Sequence, residues 1–272
     1  MSSAESAGGV EETMIESLVL RSDADGIATL TLNRPRQVNA MSVAMLDALH
    51  AQFEAVAADP EVRVVVVTGA GQHFCAGHDL KEMLAKSEQA FIGALFGKCC
   101  EIMQRIASLP QPVIARVHGI ATAAGCQLVA ACDMAVAAHD ARFATSGIDY
   151  GLFCATPGVA VSRNISKKRA FEMLFTGEFI DAKTALEWGL VNRVAQPGML
   201  DGEVTRLARV LMEKPADVIA AGKSFFRAQL EQDVATAYKQ ATAHITANML
   251  GDSAQQGVST FTRKRKTPGH PA

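Results

Sequence analysis

The stretches Ala76-Gly77-His78-Asp79-Leu80 and Ala123-Ala124-Gly125-Cys126-Gln127 decide the fold of this chain of 272 residues. Each follows a strand-like run and opens a helix-like run, so each leaves backbone N–H groups free at a helix N-terminus. Two such turns aimed at one point would form a hole for a developing oxyanion. The sequence therefore predicts a site that polarises a carbonyl group.

Carboxylates are scarce around the second of these stretches. Between Glu82 and Asp133 the only acidic residues are Glu88 and Glu101. The turn itself carries Gln127, whose amide cannot take up a proton near pH 7. We therefore expect a site that lacks the acid–base groups that usually accompany an oxyanion hole.

The flanking segments alternate between strand and helix patterns. Residues 62–68 include four consecutive valines, which is typical of a strand buried on both faces of a parallel sheet. Residues 113–117 and 133–138 also read as strands, whereas 41–58 and 91–109 have apolar residues at helical spacing. This alternation predicts an α/β core with a mainly parallel sheet.

From residue 157 onward the pattern is mainly helical. We therefore predict a disordered, polar and acidic N-terminal tail over residues 1–15, an α/β core over 16–200 and a helical trimerisation region over 201–272. A helical region that follows an α/β core suggests a lid or an oligomerisation surface. The acyl-group preference is expected to come from side chains between Lys81 and Phe96 and from the C-terminal helices.

Composition and charge exclude several classes of function. The formal net charge of −2 gives no field that would favour nucleic acid, and no apolar run approaches a membrane span. The six cysteines lack the paired spacing of a metal site, so no metal is expected. The start of the chain has neither a basic nor an apolar leader, which predicts a cytoplasmic protein.

Several motifs, taken in order along residues 17–266, resemble the crotonase superfamily of enoyl-CoA hydratases and isomerases. Within it, the runs at 119–130 and 151–160 are similar to the enoyl-CoA hydratase domain-containing group. The motifs are Leu32-Asn33-Arg34-Pro35, Asn39-Ala40-Met41, Phe74-Cys75-Ala76-Gly77-His78-Asp79-Leu80, His118-Gly119, Ala124-Gly125-Cys126-Gln127-Leu128, Cys132-Asp133 and Pro157-Gly158.

The resemblance implies a fold, a ligand and an assembly. The fold would be a spiral of ββα repeats with a C-terminal trimerisation region, assembled as a homotrimer or homohexamer. The partner would be an acyl-CoA thioester of fatty acid metabolism, with no separate cofactor, its carbonyl oxygen held by the N–H groups of His78 and Ala124. The implied CoA-binding residues are Arg34, Ala40, Ala76, His78, Asp79, Leu80, Lys81, Ala124, Phe261 and Lys264, the last two reached from a neighbouring subunit.

The resemblance also implies the catalytic positions, which are His78, Ala124, Gln127, Gly147 and Asp149. Family hydratases add water with two glutamates, whose positions fall here on Gln127 and Gly147. Ordinary hydration of crotonyl-CoA is therefore not expected. Asp149 is the only carboxylate close in sequence, and a turn-capping role competes with a catalytic one.

Several alternatives remain open from the sequence. The chain could be an active lyase or isomerase, a non-catalytic acyl-CoA binder or scaffold, or a decarboxylase or thioesterase. The His78 ring could act as acid or base, or only its backbone N–H could matter. Ser146 suggests a peptidase-like hydrolase, although no His–Asp pair accompanies it. Cys154 reads as a nucleophile or, more simply, as a small packing residue.

Overall fold

The computed structural model describes residues 17–264, which form nine strands and eleven α-helices. The strands are β1 (Val19–Ala24), β2 (Ile27–Leu32), β3 (Val64–Gly69), β4 (Val113–Val117), β5 (Ile120–Thr122), β6 (Met134–Ala138), β7 (Arg142–Ala144), β8 (Ile180–Asp181) and β9 (Arg193–Ala195). The helices are α1 (Val43–Ala57), α2 (Leu80–Ala85), α3 (Gln89–Ser108), α4 (Ala124–Ala131), α5 (Ala155–Val161), α6 (Lys167–Thr176), α7 (Ala182–Trp188), α8 (Leu200–Met212), α9 (Ala216–Gln229), α10 (Val234–Leu250) and α11 (Asp252–Lys264).

The strands form two sheets. The larger has the order β1-β2-β3-β4-β6-β9, and only the β1–β2 hairpin in it is antiparallel. Its turn, Asp25-Gly26, has positive φ at both residues, as a two-residue hairpin turn of this hand requires. The smaller sheet has the order β5-β7-β8. The predicted α/β class is confirmed.

The chain spirals because successive units contribute one strand to each sheet. The pairs β4–β5 and β6–β7 each run from the larger sheet into the smaller one and lead on to a helix. Cys75, after β3, makes a parallel bridge to Ala121 of β5 and so starts the same layer. The predicted spiral of ββα repeats is thus confirmed, and its turns place several helix N-termini at one edge.

The valines of β3 show how the sheet is covered on both faces. Val65 and Val67 pack in the main core with α1 and α3, whereas Val64 and Val66 pack in a second cluster with α8. All four are buried, which explains the unbroken apolar run in the sequence. Helix α8, which the predicted boundary at 200/201 assigns to the C-terminal region, therefore covers the core sheet.

Helices α9 and α10 are different, since neither contains a fully buried residue. Hydrogen bonds and ion pairs of Lys223 and Arg227 attach α9 to the core. Lys223 of α9 donates hydrogen bonds to the carbonyls of Ile106 and Gln111 and lies 2.6 Å from the Asp133 carboxylate, which also accepts from Arg227. No helix within residues 17–264 is long and apolar enough to cross a membrane.

Candidate active site

The two turns that open the sequence analysis meet in the structure. Thr122 N–H donates to the Cys75 carbonyl, and a Cβ atom placed on Gly77 would lie only 3.2 Å from the Ala124 nitrogen. Gly77 has φ +96°, and a Cβ on Gly125 would lie 2.2 Å from the Cys75 carbonyl oxygen. Both positions therefore require glycine, since any side chain would push the two turns apart.

Several backbone N–H groups remain uncommitted at this junction, among them those of His78 and Ala124. Ala124 is the first residue of α4, and its N–H, like that of His78, donates no hydrogen bond to any residue in the range 17–264. The neighbouring amides of Asp79 and Ala123 are used, by the carbonyls of Met41 and Ala144. The arrangement leaves a pair of donors that can stabilise negative charge on a single oxygen atom.

Ala123 carries the strain of this turn. Its backbone angles, φ 49° and ψ −120°, belong to a conformation that glycine adopts without cost and other residues disfavour. The hydrogen bond from Ala123 N–H to the Ala144 carbonyl helps to hold it there, at 3.1 Å. This strained residue fixes the path of the backbone into Ala124 at the start of α4.

Both turns open into a cavity of about 610 Å³. Its wall is mainly apolar and includes Met83 and Phe96 from the segment that the sequence predicts to set the acyl preference. The C-terminal helices do not contribute to this wall. Two further apolar members of the wall, Leu152 and Phe153, belong to a loop whose position sequence patterns did not reveal.

The His78 ring lines the cavity and packs against an aromatic ring. It lies edge-on to the Phe96 ring, with centroids 5.0 Å apart, and neither ring nitrogen has a hydrogen-bond partner within the described part of the chain. Burial lowers the pKa of His78, and the smaller opposing effect of the Met41 backbone does not reverse that shift. The imidazole is therefore neutral at pH 7.

Gln127 lies behind the cavity and does not line it. The residue is 3% exposed, and its amide faces Cys100 of α3, one helical turn from Phe96. Its Oε1 atom has no partner among the described side chains and backbone groups. The predicted catalytic position is thus near the two donors in sequence, but its side chain points into the packed interface with α3.

Gly147 lines the cavity, and the space beside it is already filled. A Cβ atom at this position would lie 2.5 Å from the Leu152 carbonyl oxygen and 2.8 Å from the Cys154 sulfur. Burial raises the pKa of Cys154, which keeps the thiol protonated and inert at neutral pH. The structure therefore supports the packing role of Cys154 and shows that position 147 has no room for a carboxylate.

Asp149 is the only carboxylate in the cavity wall, and it is exposed at the rim. Its oxygens lie 2.9 and 3.0 Å from where a Cβ on Gly177 would be, so it faces the loop after α6. Ser146 Oγ is hydrogen-bonded to Thr122 Oγ1 at 2.8 Å. No histidine bonds to Ser146 among residues 17–264, so the hydrolase alternative has no base to activate the serine.

The predicted CoA-binding residues fall into three groups. Ala76, His78, Leu80 and Ala124 line the cavity. Arg34 and Asp79 form an ion pair at 3.0 Å, and Arg34 also donates to the Ala40 carbonyl.

Asp79 in turn accepts hydrogen bonds from the Lys81 and Glu82 amides and so caps α2. Burial alone would raise the pKa of the Asp79 carboxyl. The hydrogen bonds from Arg34 and the α2 amides outweigh this effect, so the pKa is lowered and the carboxylate stays ionised. Lys81 is exposed.

The third group does not reach this cavity. Phe261 lies on α11, is 62% exposed and does not line the cavity of its own chain. Lys264 ends the same helix, and its side chain lies outside the described residues. For a metal, the described residues offer no group of three or more histidines, cysteines or carboxylates.

Comparison with known proteins identifies the family of this chain. The model of the enoyl-CoA hydratase/isomerase family matches residues 22–269. "Enoyl-CoA hydratase domain-containing protein 3, mitochondrial" from Rattus norvegicus is 42% identical over 242 residues, covering 89% of this chain and 81% of the relative.

Two solved structures are also similar. The enoyl-CoA hydratase of Mycobacterium smegmatis is 53% identical with a TM-score of 0.90, covering 92% of this chain and 97% of that one. Human enoyl Coenzyme A hydratase domain-containing protein 3 is 40% identical with a TM-score of 0.88, covering 93% and 100%.

One prediction is wrong by this comparison. The relatives named enoyl-CoA hydratase domain-containing protein 3 from rat, mouse, Xenopus laevis and human are mitochondrial proteins by name, which contradicts a cytoplasmic location. That prediction rested only on the absence of a leader pattern, and such an absence does not fix a compartment. The matched family model, the relatives and the shared fold agree: the chain belongs to the enoyl-CoA hydratase/isomerase family of the crotonase superfamily.

Proposed function

We propose that this chain binds an acyl-CoA thioester and holds its carbonyl oxygen between the N–H groups of His78 and Ala124. The observation that carries the proposal is the contact of the two turns, which leaves both donors uncommitted beside a large, mainly apolar cavity. A thioester enolate carries its charge on one oxygen. Two fixed donors in a site of low polarity stabilise that charge by several kcal/mol.

We further propose that the chain does not hydrate crotonyl-CoA at an ordinary family rate. Addition of water needs one group to accept a proton while another donates or holds one. Gln127 faces away from the cavity, Gly147 has no side chain and no room for one, and Asp149 lies at the rim. The oxyanion hole is therefore retained while the two hydration acids are lost.

The remaining alternatives differ in how well the site supports them. The carboxylate of a carboxylated acyl group would lie in one cavity with the neutral His78 ring and the Asp149 carboxylate, and neither of these supplies a positive charge to bind it. The site therefore favours binding, with or without enolate chemistry, over decarboxylation. We propose no cofactor beyond the CoA of the ligand.

The CoA moiety would then extend from the cavity along the segment of Ala76 and Leu80. Arg34 already bonds to Asp79, so its first role is to fix the loop that precedes α1 against α2. We propose that Phe261 and Lys264 contact CoA from a neighbouring subunit, as part of a homotrimer or homohexamer. This contact between subunits would explain why they lie away from the cavity of their own chain.

A proline substitution tests one of the two proposed oxyanion donors, the Ala124 N–H. Proline lacks an N–H but is tolerated at the first position of a helix, which is where Ala124 lies in α4. We expect Ala124→Pro to weaken binding of butyryl-CoA by about 10- to 100-fold, the value of one strong hydrogen bond. The matched control is Lys167→Pro, at the first position of α6, which should bind normally.

The measurements are isothermal titration calorimetry with butyryl-CoA and loss of the enoyl absorbance of crotonyl-CoA. Circular dichroism melts establish that each variant is folded. Tight binding with no crotonyl-CoA turnover agrees with the proposal. Hydration at a normal family rate would show that another group, such as Asp149, replaces the two acids, and the proposal would then be wrong.

A further inference from the structure

Two hydroxyl groups form the main polar feature in the wall beside the oxyanion donors. Thr122 ends β5 and Ser146 follows β7, and the register of these strands, Thr122 opposite Ala144, brings the two side chains together. Their oxygens lie 2.8 Å apart, and both residues line the cavity. Neither hydroxyl caps a helix or bonds to the backbone of another element within residues 17–264.

This hydroxyl pair has hydrogen-bonding capacity to spare. Each hydroxyl offers one donor and can accept two hydrogen bonds. Their mutual bond uses one donor and one acceptor site, so one O–H donor and three acceptor sites remain. Thr122 is only 8% exposed, so a ligand in the cavity is the natural partner for the remaining groups.

The position of the hydroxyl pair relates it to the reacting end of the ligand. Thr122 precedes Ala124 by two residues, which places their Cα atoms within about 7.6 Å of each other. Ser146 precedes Gly147, the position where family hydratases carry an acid. A thioester carbonyl at the Ala124 N–H therefore brings the first carbons of the acyl chain close to the two hydroxyls.

We propose that the Ser146–Thr122 pair binds a neutral oxygen substituent, hydroxyl or oxo, on the acyl chain near the thioester. The proposal rests on the proposed function and names the class of acyl group that the site prefers. Neutral hydroxyls suit a neutral oxygen atom. A carboxylate would instead meet the neutral His78 ring and the negative Asp149 in the same cavity.

The test compares two ligands that differ by one hydroxyl group. We expect the wild-type protein to bind 3-hydroxybutyryl-CoA about 10-fold more tightly than butyryl-CoA, the effect of one good hydrogen bond. Ser146→Ala and Thr122→Val should each reduce that ratio to about 1–2, with both ligands measured on the same folded variant. Ser162→Ala, on the exposed end of α5, is the matched control and should keep the full ratio.

The outcomes separate this proposal from the proposed function. If butyryl-CoA binds but the wild-type ratio is near 1, the hydroxyl pair has no such role, while the thioester site stands. The same holds if both folded variants keep the wild-type ratio. If neither thioester binds, both proposals are wrong. Because Thr122 is on β5 and Ser146 lies in the segment after β7, the two substitutions are independent, and either one that folds is sufficient for the test.

Discussion

Gly147 shows why an acidic side chain could not simply be introduced at this position. The Leu152 carbonyl and the Cys154 sulfur occupy the place where a side chain on residue 147 would begin. A backbone carbonyl cannot rotate away as a flexible side chain can. The loop after Gly151 therefore fills the position that the family resemblance implies for a second hydration acid.

We accordingly expect Gly147→Glu to destabilise the protein by about 1–3 kcal/mol, through overpacking against the loop. Urea denaturation measures the change. Gly202→Glu is the control, because Gly202 of α8 is exposed and nothing lies within 4 Å of its added Cβ. A double variant, Gln127→Glu with Gly147→Glu, that is stable and hydrates crotonyl-CoA would contradict this reading of the site.

His78 gives a prediction on pH. Burial lowers the pKa of the folded ring below its ordinary 6.5, so the unfolded chain binds the proton more readily. Stability contributed by the neutral ring is complete above about pH 6.5. It is lost as the pH falls below that value, by up to about 1.4 kcal/mol per pH unit until the folded ring protonates.

The measurement is the difference in unfolding free energy between the wild-type protein and His78→Gln across pH 5 to 8. This difference should change with pH only on the acidic side. His139→Gln, at an exposed histidine, provides the comparison. A difference that does not vary with pH would mean that the ring is as well solvated as in the unfolded chain.

Among the elements, α9 depends on one buried cation. Burial lowers the pKa of Lys223, and the Asp133 carboxylate opposes that shift. The Lys223 side chain is 8% exposed, and Asp133 also accepts a hydrogen bond from the Val113 amide at the start of β4. The pair therefore joins α9 directly to the central sheet.

Breaking this pair should be more harmful than removing it. We expect Asp133→Asn to cost about 3–5 kcal/mol, because it leaves the Lys223 charge buried without its partner. Asp133→Asn with Lys223→Met should cost less than the sum of the two single changes in urea denaturation. The exposed pair Arg163–Glu231 is the control and should show coupling of at most about 1 kcal/mol. Additive effects of the two substitutions would contradict a stabilising interaction between Asp133 and Lys223.

Most of the regular elements could be predicted from the sequence. The valine run of β3 and the apolar spacing of α1 and α3 each carry a clear period. The strands β5 and β7 span only three residues each, too short for a periodic pattern, and they form because they pair with each other. Tertiary pairing therefore determined what local patterns did not reveal.

The candidate site, too, was predictable from the sequence only in part. The two turns were visible in the sequence because glycine and helix-start patterns mark them. The orientation of Gln127 towards α3, the occupied space at Gly147 and the Thr122–Ser146 bond were not. Each of these depends on how distant segments pack, which a single sequence does not encode locally.

At the scale of the whole molecule, the C-terminal helices have apolar faces that residues 17–264 leave exposed. No residue of α9 or α10 is fully buried, although both helices carry large apolar side chains. The exposed apolar residues on α9, α10 and α11 include Phe226, Tyr238, Ile245, Met249, Leu250 and Val258. Faces of this kind mark interaction surfaces.

We expect a homotrimer or homohexamer when molar mass is measured by light scattering after size-exclusion chromatography. Ile245→Asp with Leu250→Asp should shift the protein towards monomer, because the charges would be buried in the contact. Lys183→Asp, on α7, should leave the assembly unchanged. A wild-type monomer at micromolar concentration would contradict the expected assembly.

The strained backbone of Ala123 lowers the stability of the fold while it fixes the Ala124 amide for ligand binding. Holding alanine at φ 49° and ψ −120° costs about 1–3 kcal/mol, which the rest of the fold must offset. Glycine at this position would recover part of that free energy. It would also give the backbone before Ala124 more conformational freedom, so the direction of the Ala124 amide would be less well fixed. Laboratory evolution for heat tolerance alone would therefore tend to select glycine at residue 123 and erode ligand binding, unless each round also screens for a bound thioester.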